Sequence, residues 1–411
     1  MAFSLSRNAN LFISTVDKDA AKTQANTWEV RVLDGFSFSA ATSTQEIEIN
    51  EAGDTPSRGQ QVFTTAIEPA EWSFQAYVRP RYDTLNDVND AVERVLWEAL
   101  ANDDPVGGSG PITTDGAGNA TTLANNAAGG MTVSFLDSNT NELKKLYFYR
   151  NLGTTTNPVW YYMPGAVVNQ AEIDFSIDAI ASIAWSGFAD SVSEITSAET
   201  TPYGHLTDML ATPGDLQDTG FPTGDGYLQA PTGQQACIRN KLSTVSLVPE
   251  SGQGLNVSGY NVALTGGTLT INNNITFLTP EALGVVNQPC GHFTGTFAVS
   301  GNMTAYLKTG DAQDTASLLD DLLTYSTGAS ASADPTKFAL TIYVGGVVPS
   351  SPWSVPILQI NIPTAHLVIP TINIEDVVSV DIPFTALPYD SGGVPDPTAG
   401  TQIDVAYFAA E

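Results

Sequence analysis

The sequence is poor in the residues from which most enzymatic and metal sites are built. It has two cysteines and three histidines in 411 residues. Cys237 and Cys290 are too few for a disulfide framework, so a reducing environment is expected. The histidines lie far apart and none stands in the spacing of a zinc protease; they are His205, His292 and His366. We therefore predict that the protein is not an enzyme and has no catalytic, cofactor-binding or metal-binding residues.

Long apolar segments are also missing from the sequence. No apolar run approaches the roughly 20 residues that a membrane-spanning helix needs. Residues 1–10 contain no basic segment followed by an apolar one, so we expect no signal peptide and no membrane partner.

Basic residues are scarce relative to acidic ones. The chain has 15 Lys and Arg against 44 Asp and Glu, a net charge of −29. The excess is even, because residues 1–200 carry 26 acids and 11 bases and residues 201–411 carry 18 acids and 4 bases. Binding to nucleic acid through counterion release requires Lys and Arg at the phosphates, so this charge disfavours specific DNA binding. The charge alone is equally explained by solubility.

What the sequence does contain is the same pattern twice. Residues 74–79 (Phe-Gln-Ala-Tyr-Val-Arg) reappear as residues 303–308 (Met-Thr-Ala-Tyr-Leu-Lys), 229 positions later. Residues 175–183 reappear as residues 372–380, 197 positions later. Both matches occur in the same order, and apolar residues alternate with polar ones in each, as in strands with one buried face. The repeat predicts two similar β domains in tandem.

Each repeat also predicts one helix and further strands. Apolar residues at spacings of three and four predict a helix within residues 83–100, and a second helix begins at Asp314. Residues 133–136 and 146–150 predict a hairpin, and residues 403–409 predict a last strand.

The repeats set the expected domain boundaries. We predict a first domain over residues 1–190, a linker over 191–234 that is rich in Gly, Pro, Asp and Thr, and a second domain over 235–411. The first domain carries a long Gly- and Asn-rich loop at residues 102–130 that the second domain lacks. We expect this loop to make contacts with neighbouring molecules.

The last shared strand of the first repeat supports a resemblance to a known family. Residues 173–181 read Ile-Asp-Phe-Ser-Ile-Asp-Ala-Ile-Ala and are followed by Trp185-Ser186-Gly187. This segment, and the order of elements before it, resembles the tail tube proteins of long-tailed bacteriophages. The second repeat departs from the motif, since it has Ile382-Pro383-Phe384 in place of the tryptophan ending.

The resemblance implies both fold and function. It implies a mostly β protein with two tandem β-sandwich or barrel domains, each with one helix. It further implies a structural virion protein, made in the host cytoplasm, that forms the tail tube. Chains with two such domains would form trimeric rings with pseudo-sixfold symmetry, stacked into a channel for DNA ejection. The implied partners are further copies of the chain, a tape-measure protein, and the tail-tip and tail-terminator proteins.

The negative charge suggests how such a channel would treat DNA. Carboxylates on the wall repel phosphates, so DNA would pass without specific binding. Glu172 and Asp174, on the polar face of the predicted strand, are the candidate lumen-facing acids, and no cofactor is expected.

A second interpretation comes from a different class of protein. A two-domain β-sandwich carbohydrate-binding or adhesion protein would also combine these features. It would expose aromatic side chains on one face, and the sequence places Trp160, Tyr161 and Tyr162 together.

Overall fold

The computed structural model is mostly β, with antiparallel sheets and two α-helices among the residues that it describes. The described residues are 10–18, 27–30, 32–33, 35–55, 57–83, 88–91, 93–102, 131–136, 142–152, 159–195, 237–249, 257–278, 289, 291–327, 337–346, 356–374, 377–388 and 401–408. The predicted fold class is therefore confirmed.

The elements fall into a first repeat and a second repeat. The first repeat contains β1 (Asn10–Ser14), β2 (Thr27–Val30), β3 (Ser37–Ser39), β4 (Thr42–Glu51), β5 (Ser57–Ile67), β6 (Ala70–Tyr77), β7 (Pro80–Asp83), β8 (Val88–Ala91), α1 (Arg94–Ala101), β9 (Met131–Leu136), β10 (Leu146–Asn151), β11 (Trp160–Asp174), β12 (Ser182–Ala189) and β13 (Ser193–Ile195). The second repeat contains β14 (Thr244–Pro249), β15 (Ala263–Asn272), β16 (Thr276–Leu278), β17 (Gly291–Phe293), β18 (Ala298–Tyr306), α2 (Thr315–Thr327), β19 (Lys337–Val344), β20 (Ile357–Leu367), β21 (Thr371–Ile374), β22 (Val378–Ala386) and β23 (Thr401–Phe408).

One sheet runs without interruption through both repeats. Its strands lie in the order β3-β6-β12-β11-β15-β18-β22-β21, and every neighbouring pair is antiparallel. We call this the long sheet. The two repeats meet inside it, where β11 pairs with β15, so the backbone hydrogen bonds of one repeat continue into the other.

A second layer of strands covers one face of the long sheet. In the first repeat it has the order β2-β1-β10-β11-β13, and in the second β14-β19-β20-β23-β9. Strand β11 belongs to both layers, since its first half pairs with β10 and its second half with β12. Gly165 lies between these halves with φ of 61°. This left-handed backbone favours glycine, and a Cβ atom there would lie 2.1 Å from Oδ2 of Asp190.

The core lies between the two layers and follows the alternation predicted from the sequence. In β6 the side chains of Phe74 and Ala76 are buried, and in β18 those of Met303 and Ala305 are buried. Helix α1 packs into the core of the first repeat. The ring of Trp97 packs edge-on against the indole of Trp185, with 4.9 Å between the ring centroids. Each such side chain contributes on the order of 2 kcal/mol through burial.

A buried polar group joins helix α1 to the last strand. Tyr407 on β23 donates a hydrogen bond to Oε1 of Glu93 at 2.7 Å and accepts one from Nε1 of Trp97 at 2.7 Å. Burial, together with the negative charge of Glu93, holds the pKa of Tyr407 well above its ordinary value. Strand β23, at the end of the chain, is thereby fixed to the first repeat.

The register of strand pairs shows the duplication in detail. Trp185 on β12 lies beside Phe74 on β6, and Ile382 on β22 lies beside Met303 on β18. The offsets of 197 and 229 taken from the sequence therefore hold for these two strands. The predicted second helix is also confirmed: Asp314 caps it by accepting hydrogen bonds from the amide and hydroxyl of Ser317, both at 2.9 Å.

Several sequence predictions need correction. The first helix covers only Arg94–Ala101, because residues before it form the small antiparallel pair of β7 and β8. Strands β9 and β10 do not form a hairpin: β9 pairs with β23, and β10 pairs with β1 and β11. Hydrophobic spacing in a short segment does not distinguish a helix from a strand, and it does not identify the partner of a strand.

The second sequence match is shifted by two residues in its first part. Asp174 pairs with Ser182, whereas Asn373 pairs with Ser379, so the turn after β21 is two residues shorter. Phe175 therefore corresponds to Ile374 and not to Ile372. A shift of two keeps the apolar face of a strand, which is why the sequence pattern did not reveal it.

Parts of the predicted organisation lie outside the described residues. These are residues 103–130 of the long loop, residues 196–234 of the predicted linker, and residues 235–236 at the start of the predicted second domain. Within the stretch assigned to the linker, Ser193–Ile195 forms β13 and pairs with the start of β11.

Candidate functional site

The face of the long sheet that points away from the core is polar. Its side chains are mostly hydroxyls and amides, and they line up in rows across both repeats. One row contains Gln75, Ala184, Glu172, Thr270, Ser300 and Thr385. The next contains Tyr77, Ser182, Asp174, Thr268, Asn302 and Pro383. The surface is continuous, and most of its side chains are short.

Within the strands of the long sheet, the charged side chains on this polar face are all negative. Its carboxylates are those of Glu71, Glu172, Asp174 and Asp381. The eight strands of the long sheet contain no Lys or Arg. A surface of this composition offers a phosphate backbone no cation with which to pair, and it repels the backbone through its carboxylates.

Two of the carboxylates are held by hydrogen bonds. Oδ1 of Asp174 accepts from the amide of Ser176 at 2.9 Å and from its hydroxyl at 2.6 Å. Asp381 accepts from Oγ1 of Thr304 at 2.9 Å and from Nδ2 of Asn373 at 2.6 Å. These contacts fix the positions of the carboxylates on the sheet, and those of Asp174 also stabilise the turn that follows β11.

Positive charges occur only beyond the strand ends, among the described residues that border this face. Arg79 and Lys308 lie two residues beyond β6 and β18, at corresponding positions in the two repeats. Nζ of Lys308 is paired with Oδ2 of Asp311 at 2.5 Å. The hydrogen bond to Asp311 raises the pKa of Lys308, so this charge is present at neutral pH.

The structure brings both predicted acids, Glu172 and Asp174, onto the polar face, on the second half of β11. Glu71 and Asp381 share this face and were not selected from the sequence. Their signal was the alternation within their strands: Trp72 beside Glu71, and Val380 and Ile382 beside Asp381, are buried. What the sequence could not provide was the pairing that places these strands in one sheet.

The two repeats also meet through a hairpin. Nε2 of His292 on β17 accepts a hydrogen bond from the amide of Leu143 in the first repeat at 3.0 Å. Beside it, the ring of Phe277 on β16 packs against Phe188 at 5.6 Å. Burial lowers the pKa of His292, and the positive charge of Lys145 lowers it further.

The aromatic residues considered for carbohydrate binding are not available to a ligand. Trp160 and Tyr162 are 2% and 4% exposed and pack with Phe12 and Tyr149. The half-buried ring of Tyr161 contacts Phe38 at 5.3 Å. Stacking on a sugar needs an exposed ring face, so residues 160–162 do not support the adhesion interpretation.

The described residues contain neither a metal-binding cluster nor a membrane-spanning helix. No group of three or more His, Cys, Asp or Glu side chains there could hold a metal ion. No helix in that part of the chain has the length and apolarity to cross a membrane.

Comparison with known proteins identifies the family. No protein-family model matches the chain. The chain is, however, 31% identical over 391 residues to the tail tube protein pb6 of Escherichia phage T5, a match that covers 95% of this chain and 74% of pb6. The chain belongs to the phage tail tube proteins. The family predicted from the sequence is therefore confirmed, and the chain is a structural component of the virion tail.

Membership of the tail tube proteins gives the polar face a context. A tube subunit has an inside and an outside, and in the described part of the chain the long sheet runs through both repeats with one covered face and one exposed face. The exposed face is the polar one, and it carries Glu172 and Asp174.

Proposed function

We propose that three copies of the chain join into a ring with pseudo-sixfold symmetry, and that rings stack into the tube through which DNA leaves the virion. The observation that carries this proposal is the long sheet, which joins two repeats edge to edge and ends in a strand at each side. Three chains supply six repeats, so the same edge-to-edge contact can close a barrel. Stacking of such rings then gives an open filament.

The polar face of the long sheet lines the channel in this proposal. Double-stranded DNA carries about one charge per 1.7 Å of axis, so carboxylates at Glu172 and Asp174 repel it and no Lys or Arg of the sheet holds it. DNA passes without specific binding. A tape-measure protein occupies the channel before DNA does, and tail-tip and tail-terminator proteins close the two ends.

The domain organisation belongs to the same proposal. Residues 1–190 and 235–411 are the two tube domains, and residues 191–234 connect them. The recurrence of strand register supports this division, because β6 and β12 pair in the first repeat as β18 and β22 do in the second.

Electron microscopy of the purified protein tests the proposal. We expect tubes with a central channel, and rings whose mass is three times that of the 43.4 kDa chain. Uniform monomers under all conditions of concentration and salt would contradict it, and rings of six chains would contradict the trimer.

A further inference from the structure

Two strands at the ends of the long sheet have an unpaired edge within the described residues. Strand β3 pairs only with β6, and β21 pairs only with β22. Strand β21 also presents apolar side chains to solvent, since Ile372 is 43% and Ile374 is 81% exposed. An edge of this kind is a template for pairing with another strand.

The chain already contains one joint between such strands. Where the repeats meet, Asp174 on β11 lies beside Thr268 on β15, and Ile173 lies beside Leu269. The ladder continues past the end of β11, where the amide of Phe175 donates to the carbonyl of Gly267 at 3.1 Å. We call this contact the internal junction.

The unpaired strands are the repeats of the two strands in the internal junction. Asp174 corresponds to Asn373, because each pairs with the matching serine of the next strand, and Phe175 therefore corresponds to Ile374. Thr268 corresponds to Ser37, since they pair with Asn302 and Ser73 respectively.

Burial differs at the positions that correspond. Phe175 is 1% exposed and Ile173 is fully buried at the internal junction. Their counterparts Ile374 and Ile372 are exposed. The same positions are buried in one repeat and exposed in the other. This difference is expected if β21 pairs with a strand of another molecule in the way that β11 pairs with β15.

We propose that β21 of one copy pairs with β3 of a second copy in the register of the internal junction. This places Asn373 beside Ser37 of the second copy, Ile372 beside its Phe38, and the amide of Ile374 at the carbonyl of its Phe36. The inference rests on the proposed assembly into rings and gives its contact between chains at the level of residues.

The packing at this point supports a second copy as the occupant. A Cβ atom on Gly267 would lie 2.7 Å from Cζ of Phe175, so the phenyl ring of β11 occupies the space above that glycine. The counterpart of Gly267 is Phe36, whose ring stacks on Phe74 at 5.9 Å. In the proposed contact between copies, Ile374 therefore takes the place of Phe175 and Phe36 takes the place of Gly267. Each junction then holds one phenyl ring, supplied by opposite strands.

The guanidinium of Arg150 helps to fix the ring of Phe36. Its Cζ lies 4.5 Å from the ring centroid, and burial lowers the pKa of Arg150 to about 10. The ring is therefore in place before a second copy arrives. Every copy has both edges, so the contact is head-to-tail and can be repeated from chain to chain.

Disulfide trapping tests the register. Asn373 and Ser37 would form a non-hydrogen-bonded pair, with Cα atoms about 4.5 Å apart, a distance that a disulfide can span. In a Cys237→Ser, Cys290→Ser background, Ser37→Cys with Asn373→Cys should give covalent oligomers up to three chains under mild oxidation. Asp174→Cys with Thr268→Cys is the matched internal control and should stay monomeric while losing its free thiols.

Further variants test whether cross-linking depends on the proposed register and packing, or only on two strands being near each other. Ser37→Cys with Ile372→Cys places the thiols on opposite faces of the sheet and should cross-link at least tenfold less. Ile374→Phe would bring a second ring against Phe36 and should reduce the cross-linked product of the first pair by a similar factor, whereas Ile374→Leu should not.

The outcomes distinguish this inference from the proposed function. Tubes that form while the Ser37/Asn373 pair gives no covalent oligomer would overturn the junction and leave the tube function intact. A disulfide within one chain would mean that β21 is covered by its own molecule and would also overturn the junction. Failure of the cysteine-free protein to form rings or tubes would contradict the proposed function itself.

Discussion

Tyr407 is a single residue on which the contact between the chain's end and its first helix depends. Its hydroxyl serves both the carboxylate of Glu93 and the indole of Trp97, and all three groups are buried. A buried donor or acceptor that loses its partner costs more than the hydrogen bond itself contributed, because water cannot replace the partner.

Replacing Tyr407 with Phe should therefore destabilise the folded chain. We expect the free energy of unfolding to fall by about 2–3 kcal/mol, since one hydroxyl is removed and two buried groups lose it as a partner. Chemical denaturation of the monomer measures this. Tyr306→Phe is the control, because its ring is 49% exposed, and it should change stability by less than about 0.5 kcal/mol. Equal effects of the two variants would contradict the prediction.

His292 should make stability depend on pH. Burial and Lys145 hold the pKa of His292 below its ordinary value in the folded chain, with Glu142 opposing them. The unfolded chain, with a histidine pKa of about 6.5, then binds the proton more readily. Stability should fall as pH falls below about 6.5, down to the folded pKa. His292→Gln should lose part of this slope between pH 7 and 5; an unchanged slope would show that the histidine does not couple to folding.

At the scale of elements, the two hairpins that lie outside the long sheet, β4 with β5 and β16 with β17, occupy different environments. In the second repeat β16 and β17 rest on the first repeat through His292. In the first repeat β4 and β5 form a separate pair, and Val62 and Phe63 are 59% and 44% exposed. Phe63 corresponds to His292 when the offset of 229 is applied. The hairpin of β4 and β5 thus carries Phe63 at the position where the hairpin of β16 and β17 uses His292 to contact the first repeat.

Replacing Phe63 with Ser should weaken assembly and leave the fold unchanged. We expect at least a tenfold rise in the protein concentration needed for rings or tubes, because an apolar contact to the next copy is lost; sedimentation measures it. Thr64→Ser is the matched control, since Thr64 corresponds to Phe293, which remains 43% exposed in the second repeat. Normal assembly of the Phe63 variant would show that this hairpin makes no contact there.

Much of the element pattern could be predicted from the sequence, whereas the partners of the elements could not. Alternation identified β6, β18 and the last strand, because one face of each is buried. One of the two partners of β23 is β9, more than two hundred residues away, and no local pattern records such a pairing. For the same reason Glu172 and Asp174 could be placed on a polar face, while Asp381 could be added to that face only once β22 was known to lie in the same sheet.

At the scale of the whole molecule, the sign of the charge on the polar face should decide how DNA moves. Glu172→Lys introduces a cation into a sheet that has none, and in a ring of three chains it introduces three. We expect DNA ejection from virions carrying this variant to slow severalfold, most strongly at low salt, since phosphate contacts are screened by salt.

Two variants control for that prediction. Glu172→Gln removes the carboxylate without adding a cation and should have a smaller effect. Glu194→Lys makes the same charge change on β13, where the side chain is exposed and lies outside the long sheet, and ejection should keep its normal rate. Equal slowing by both lysine variants would contradict a role for the polar face.

The internal junction has a consequence for the kinetics of assembly. Because it joins two repeats within one polypeptide, their encounter is an intramolecular event with an effective concentration that dilution cannot lower. In the proposed ring, three of the six joints are complete when the chain has folded, and only three depend on collision between molecules. Nucleation is then a reaction of low molecular order, so ring formation should respond less steeply to subunit supply than in a tube built from single-repeat chains.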